Sequence, residues 1–216
     1  MIIDRRLITG KWILWSVMGL MGLAVLIHRE LPYLSPDHPL RPHHLFLRDM
    51  LLPHLAFGCI AMFAGPLQFS SRLRTRHMRL HRVLGHLYAW SIFVSAPLAT
   101  IMPLRLHQDH FYVAGTFSHA GTWLICTVVA YVLALNRQVQ AHRQWMVRSY
   151  AMTFSFIVVR VIGHWLPLPD PEFGIFDVIN TLALLLLADI ALNWRELTVR
   201  RASQLARGTS APGPAR

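Results

Sequence analysis

The stretch LLPHLAFGCIAMFAGPLQF, residues 51–69, carries no Asp, Glu, Lys or Arg. About 20 predominantly apolar residues in a helix are enough to cross the hydrocarbon core of a bilayer. The stretch therefore predicts a transmembrane helix. Its one histidine, His54, then lies inside the membrane, where an ionisable side chain is costly and usually has a function.

The apolar character of this stretch extends over most of the chain. Of the 216 residues, 54% are hydrophobic and only 14% are charged. Further apolar runs lie on both sides of it, so that six runs cover residues 12–28, 50–70, 83–104, 111–136, 147–168 and 174–194. We expect an all-α, polytopic membrane protein with six transmembrane helices in one bundle over residues 1–196. Residues 197–216 form a basic tail that we expect to be disordered.

The arginines are concentrated in alternate loops. The loop 71–82 holds five of them, and more follow the fourth and sixth runs, whereas residues 166–174 hold none. Positively charged loops stay in the cytoplasm, so both termini are predicted to be cytoplasmic. Because the net charge of +11 follows this pattern, it does not indicate nucleic-acid binding. Twenty arginines against one lysine favour a GC-rich bacterial genome, and hence the inner membrane of a bacterium.

Two intramembrane histidines, His54 and His119, each lie on a stripe of small side chains. Residues three and four apart share a helix face. The stripes are Gly58, Ala61 and Gly65 below His54, and Gly115, Thr122, Cys126 and Ala130 around His119. Such grooves suit a flat macrocycle and predict a haem b with these two histidines as axial ligands. Small stripes also let bare helices pack closely, which would make the histidines interhelical hydrogen-bonding groups.

A second histidine pair lies at the arginine-rich ends of the third and fifth runs. His142 precedes the fifth run, and two histidines, His81 and His86, compete at the third. Five residues turn a helix by about 140°, so His81 and His86 cannot face one ligand. The face of His81 continues through small residues, whereas that of His86 continues through Trp90 and Phe93. His81 is therefore the predicted partner of His142 at a second haem.

Three segments resemble a known family: LPHLAFGCIAMFAGPLQFSSRLR, LHRVLGHLY and AHRQWMVRSYAMTFSFIVVR, within residues 50–165. They are similar to a bacterial family of predicted membrane proteins of unknown function, domain of unknown function 2306. His54, His81 and His142 match histidines of that family, while His86 stands where the family usually has Arg or Lys.

The family's fold is similar to cytochrome b561, a six-helix electron carrier with two b-type haems. In that carrier the second and fourth helices ligate the outer haem, and the third and fifth ligate the inner one. The resemblance implies His54 with His119 as outer ligands and His81 with His142 as inner ligands of haem iron.

Arg160 is a further charge inside a predicted span, in the fifth run. A buried arginine needs an anionic partner. Asp177 in the sixth run is one candidate, and a propionate of the outer haem is the other. By the same reasoning Asp189 is a candidate partner of Arg148.

These features predict a cytochrome b561-like di-haem protein that moves single electrons between an unidentified donor and acceptor, and so a haem-dependent membrane oxidoreductase. One alternative is a transporter or proton-coupled carrier in which His54, His119, Arg160 and His164 line a polar path. The scarcity of polar groups between Arg160 and Asp189 argues against a continuous path. Another alternative is a haem-free membrane module whose small-residue stripes bind a partner, with a homodimer as one form.

Overall fold

The structure, a computed structural model, describes residues 5–35, 45–165 and 169–208. Regular structure in these ranges is helical throughout, as the apolar runs predicted. The α-helices are α1 (Arg5–Val25), α2 (Leu45–Gln68), α3 (Ser71–Arg76), α4 (Met78–Arg105), α5 (His110–Leu135), α6 (Val139–Trp165) and α7 (Asp170–Gly208). A π-helical turn, Leu26–Glu30, and a 3-10 turn, Leu31–Leu34, extend α1.

Within the described residues, five helices are long and apolar enough to cross a membrane. Their spans are Asp49–Gln68, Met78–Arg105, His110–Leu135, Val139–Gly163 and Glu172–Trp194. A shorter apolar stretch, Trp15–His28, corresponds to the first predicted run. The chain is an all-α polytopic membrane protein, and the cytoplasmic position of its termini stays a prediction.

Two helices begin earlier than the apolar runs suggested. Helix α4 begins at Met78 rather than near residue 83, and α6 begins at Val139 rather than near residue 147. His81 and His142 therefore lie in the first turn of a helix. Helix α7 continues past residue 196, the predicted end of the membrane domain, to Gly208, and residues 209–216 of the tail lie outside the described part.

Local side-chain and backbone features separate the helices. Ser70 accepts a hydrogen bond from the Leu73 amide at 3.3 Å and caps α3, while Asp109 accepts one from the Phe111 amide at 2.8 Å and caps α5. His107 and Arg137 adopt positive φ angles of 53° and 57° in the turns on either side of α5. We call the end with residues 69–77 and 136–138 the arginine-rich end, and the end with residues 106–109 the opposite end.

Helices α2, α4, α5 and α6 form a four-helix ring. Its neighbouring pairs are α2 with α4, α4 with α5, α5 with α6, and α6 with α2. It follows that α2 and α5 lie diagonally across the bundle, as do α4 and α6. Helix α1 packs on α6, and α7 packs on α5 and α6. Each predicted histidine pair thus comes from two diagonally opposed helices.

Candidate functional site

His54 on α2 is buried and hydrogen-bonded to Ser95 on α4. Its Nδ1 lies 2.9 Å from the Ser95 carbonyl oxygen and 2.9 Å from Ser95 Oγ, and Ser95 Oγ donates to the His54 carbonyl at 3.2 Å. A carbonyl oxygen only accepts, so Nδ1 carries the hydrogen. In the neutral ring Nε2 then keeps its lone pair for another partner.

A cavity of about 80 Å³ lies beside His54 and is partly open. Its polar lining side chains are those of His54, Ser95, Thr153 and Arg160, set among apolar residues of α1, α2, α5 and α6. Arg160 is close enough to interact electrostatically with His54. A few convergent polar groups in a mainly apolar hollow are typical of a small-molecule site.

His119 on α5 is buried and has both ring nitrogens engaged. Nδ1 lies 2.9 Å from Oδ1 of Asp177, and Nε2 lies 3.2 Å from the Met152 carbonyl oxygen. The carbonyl requires hydrogen on Nε2, so either His119 is an imidazolium beside an Asp177 carboxylate or a protonated Asp177 donates to Nδ1. Asp177, offered by the sequence to Arg160, thus pairs with His119.

Phe156 on α6 packs against both histidines of the predicted outer pair. Its ring centroid lies 5.7 Å from that of His54 and 4.5 Å from that of His119. An axial ligand needs a free imidazole nitrogen, and His119 offers none here. The residues at the opposite end therefore do not fit a haem held between His54 and His119.

A chain of buried hydroxyl groups occupies the middle of the bundle. It runs from Thr153 to Tyr88 at 3.0 Å, on to Ser149 at 2.8 Å and on to Thr127 at 2.8 Å. Trp123 Nε1 donates to Thr153 at 3.0 Å, and Thr127 donates to the Trp123 carbonyl at 2.8 Å. Thr153 Oγ1 also lies 3.2 Å from the Ser149 carbonyl oxygen, so its one hydrogen is shared between that oxygen and the Tyr88 hydroxyl. The chain begins and ends at Trp123.

At the arginine-rich end His142 has a fixed ring. Its Nδ1 donates to the Ala130 carbonyl oxygen at 2.8 Å, which leaves Nε2 as the free nitrogen of the neutral ring. His81 lies close enough to His142 for the two to interact electrostatically. His81 Nδ1 is buried and has no hydrogen-bond partner in the described part of the chain.

Gln68, at the end of α2, belongs to the same region and was missed as a site residue. It is 7% exposed, and its Nε2 is the second buried side-chain atom here without a partner among the described residues. A Cβ at Gly85, one turn from His81, would lie 3.3 Å from Gln68 Oε1. The polar Gln68 at the end of an apolar run, in GPLQF, was the signal that could have found it.

The family comparison covers all these features. The family model described as "Predicted membrane protein (DUF2306)" matches residues 51–192, more than half of the chain. The chain belongs to the DUF2306 family. No curated protein and no solved structure matches it. The resemblance inferred from the sequence is thereby confirmed at the level of the family.

Other predicted residues of this DUF2306 protein have ordinary partners. Arg148 Nε donates to Asp189 Oδ1 at 2.7 Å, which confirms the predicted pair. His86 is exposed and its Nδ1 lies 3.1 Å from the Tyr131 hydroxyl, away from the face of His81. The side chain of His164 lies outside the described part.

The metal-ligating side chains of the DUF2306 protein limit which metal ion or metal cofactor it can bind. Across residues 5–35, 45–165 and 169–208, no three or more His, Cys, Asp or Glu side chains form a metal-binding group. A haem needs only one or two protein ligands, since the porphyrin supplies the other four. His81 and His142 fit that requirement, and at their end of the bundle His81 Nδ1 and Gln68 Nε2 have no partner among the described residues.

Proposed function

We propose that this DUF2306 protein is a membrane haem protein that carries single electrons, with one haem b between His81 and His142. The observation that carries the proposal is the pair itself. Two imidazoles from diagonally opposed helices lie close enough at the arginine-rich end to interact electrostatically. The Ala130 carbonyl fixes one of them, and the other has a buried nitrogen without a partner among the described residues. Haem, when bound, supplies a reversible one-electron couple.

The hydrogen bond at His142 matches what an iron ligand needs. Ligating histidines donate their second nitrogen to a carbonyl or carboxylate, which fixes the ring and raises the basicity of the ligating nitrogen. Ala130 has this role for His142. Among the described residues His81 Nδ1 has no such partner, and the Nε2 of the buried Gln68 amide at the same end has none either.

The charge at this end suits the propionate groups of a haem. Arg74 and Arg82 interact electrostatically with His81. Residues 50–108 and 110–169 contain no Asp or Glu, and Asp189 is paired with Arg148. Arginine binds carboxylates through charge-assisted and often bidentate hydrogen bonds. Propionates would therefore bring the negative charge that this part of the sequence lacks.

The proposal is narrower than the di-haem carrier expected from the sequence. Because both nitrogens of His119 are bonded and Phe156 packs against it, we assign no haem to the opposite end. The electron donor and acceptor stay unidentified, and the arginine-rich end is proposed to face the bacterial cytoplasm.

The hydroxyl chain in the bundle centre is the observation that favours the alternative, a proton-coupled carrier. It supplies polar groups at a depth where the sequence had indicated few. The chain begins and ends at Trp123, however, which suits a brace between α4, α5 and α6 better than a proton path across the membrane. We therefore rank this function second.

The test of the haem proposal is an absorption spectrum of protein purified in detergent after expression with ample haem. We expect a Soret band that shifts on dithionite reduction and a content near one haem per chain. His81→Ala and His142→Ala should each lose most of it, because the two ligands act together. His86→Ala, one helix face away from His81, is the matched control and should keep it, as should His119→Ala where it folds. A wild-type protein without a Soret band, or haem retained in both ligand variants, would refute the proposal.

A further inference from the structure

We propose that the cavity beside His54 binds the hydroxyl group of a lipid-soluble phenol. The cavity is lined by residues of α1, α2, α4, α5 and α6 near the opposite end of the bundle. The proposal concerns binding alone and does not depend on haem at His81 and His142.

The orientation of the His54 ring determines that a ligand at Nε2 must be a hydrogen-bond donor. Since Nδ1 donates to the Ser95 carbonyl, the neutral ring offers a lone pair at Nε2. A second cation beside Arg160 in a bundle of low dielectric is unfavourable, so the neutral ring is the expected form. A ligand that meets Nε2 must therefore donate a hydrogen bond, which an ionised carboxylate cannot do.

Arg160 determines a second property of the ligand, which is the negative charge that its oxygen atom carries or develops. Arg160 lines the same cavity and acts electrostatically on His54. Guanidinium groups only donate, and they favour an oxygen that carries or develops negative charge. A group that donates to an imidazole and presents an electron-rich oxygen to an arginine is an acidic hydroxyl. Among lipid-soluble molecules, a phenol has such a hydroxyl.

The remaining lining favours an aromatic body. Trp123 and Phe156 contribute rings to the wall, and Leu55, Met62 and Ile157 contribute apolar side chains. The volume of about 80 Å³ is smaller than the roughly 150 Å³ that holds a benzene ring in an engineered cavity. Because the cavity is partly open, it can take the hydroxyl-bearing edge of a ring while the rest stays outside.

Helix α1 connects this cavity with the bilayer. Gly22 and Val25 of α1 and Leu26 of the π-helical turn line it, while Leu20 and Leu23 of α1 are 66% and 45% exposed. Such apolar exposure on a spanning or membrane-embedded helix faces lipid. A ligand dissolved in the bilayer is therefore the one with direct access.

The experiment is fluorine NMR of the full-length protein in detergent with para-fluorophenol as the probe and empty micelles as the reference. The ring fluorine reports both binding and the protonation of the hydroxyl, and haem adds no fluorine signal. We expect saturable binding at one site. Fluorobenzene, which lacks the hydroxyl, should bind about tenfold or more weakly because it loses the hydrogen bonds to His54 and Arg160.

Two glycine variants provide a matched pair that leaves the polar groups in place. A Cβ at Gly58 would have only Ser95 Oγ near it, at 3.8 Å, and Gly58 lines the cavity, so Gly58→Val is expected to place its methyl groups in the cavity. Gly121 on α5 does not line the cavity and has nothing within 4 Å of its Cβ position. We expect Gly58→Val to lose the saturable binding and Gly121→Val to keep it.

Substitution of His54 and Arg160 tests whether these two side chains bind the hydroxyl group of the phenol. His54→Phe and Arg160→Gln should each weaken para-fluorophenol binding about tenfold and bring it near that of fluorobenzene. Equal affinities for the two probes in the wild-type protein would overturn the phenol assignment. Saturable binding that survives in Gly58→Val would overturn the location, whatever the haem content of the preparation.

Discussion

The two ends of the bundle differ in how the ring nitrogens of their histidines are bonded. At the opposite end His119 bonds to Asp177 and Met152 through both ring nitrogens. At the arginine-rich end His81 Nδ1 and Gln68 Nε2 are buried without a partner among the described residues. Unsatisfied buried polar groups are costly, so natural structures keep them where a ligand, water or ion completes the site. The difference indicates that His119 is held by bonds within the bundle, whereas the described residues leave His81 Nδ1 and Gln68 Nε2 without a partner.

The largest effect expected from this difference is at His119. His119→Leu should lower the free energy of unfolding by about 3–5 kcal/mol, because it leaves the buried Asp177 without its partner. His142→Leu in haem-free protein should cost only about 1 kcal/mol, the usual value of one hydrogen bond. Unfolding in mixed micelles of increasing sodium dodecyl sulfate, followed by circular dichroism, measures both.

A double variant shows whether the stability loss in His119→Leu comes from the unpaired Asp177 or from lost packing. His119→Leu combined with Asp177→Leu removes both members of the pair, and it should recover part of the lost stability. If the double variant is no more stable than the single one, the loss comes from packing, and the comparison between the two ends fails.

A smaller effect is expected where α5 and α7 touch at the opposite end. A Cβ on Gly174 would overlap the backbone of Phe111, and one on Gly115 would lie 2.6 Å from the Gly174 carbonyl oxygen. Backbone atoms cannot rotate away as a side chain can, so Gly174→Ala should cost about 1–3 kcal/mol. Gly121→Ala, with open space around it, should instead gain up to about 1 kcal/mol from helix propensity. The same unfolding titration distinguishes them, and equal stabilities would mean that the close approach is not needed.

The smallest effect is expected at the Arg148–Asp189 pair. The Asp189 side chain is 46% exposed, and its contact with Arg148 is 2.7 Å. Exposed ion pairs contribute little, so Arg148→Leu should change the free energy of unfolding by less than about 1 kcal/mol. A loss as large as that of His119→Leu would show that this pair is shielded from solvent and that both ends depend on buried charge.

The helices were predictable because they depend on local properties of the sequence. An uncharged run of sufficient length, such as residues 51–69, can satisfy its backbone groups within the segment in lipid only as a helix. The helix starts were less predictable. Polar and basic residues begin α4 at Met78 and α6 at Val139, and such residues suit a helix that emerges from the hydrocarbon as well as they suit a loop.

The histidines show where sequence reasoning about a site stops. Spacing placed His54 and His119 on small-residue faces, and the structure buries both. Spacing could not show that Phe156 of another helix packs against both rings. Nor could it show that Asp177 contacts His119, because that choice depends on how α7 lies against α5. The Arg148–Asp189 pair was predictable because two opposite charges at the same end had few competitors.

By itself the sequence determined the membrane class, the helical composition, the family and the small set of ionisable residues inside the spans. Hydrophobicity and residue spacing set all of these, and both are properties of a single segment. Only the tertiary structure decided which imidazole nitrogens are bonded and which stay open. A hydrogen bond depends on a few tenths of an ångström between helices, and that distance results from the packing of the whole bundle. For this reason His119 became part of the framework, while His54, His81 and His142 are the histidines for which we propose a ligand.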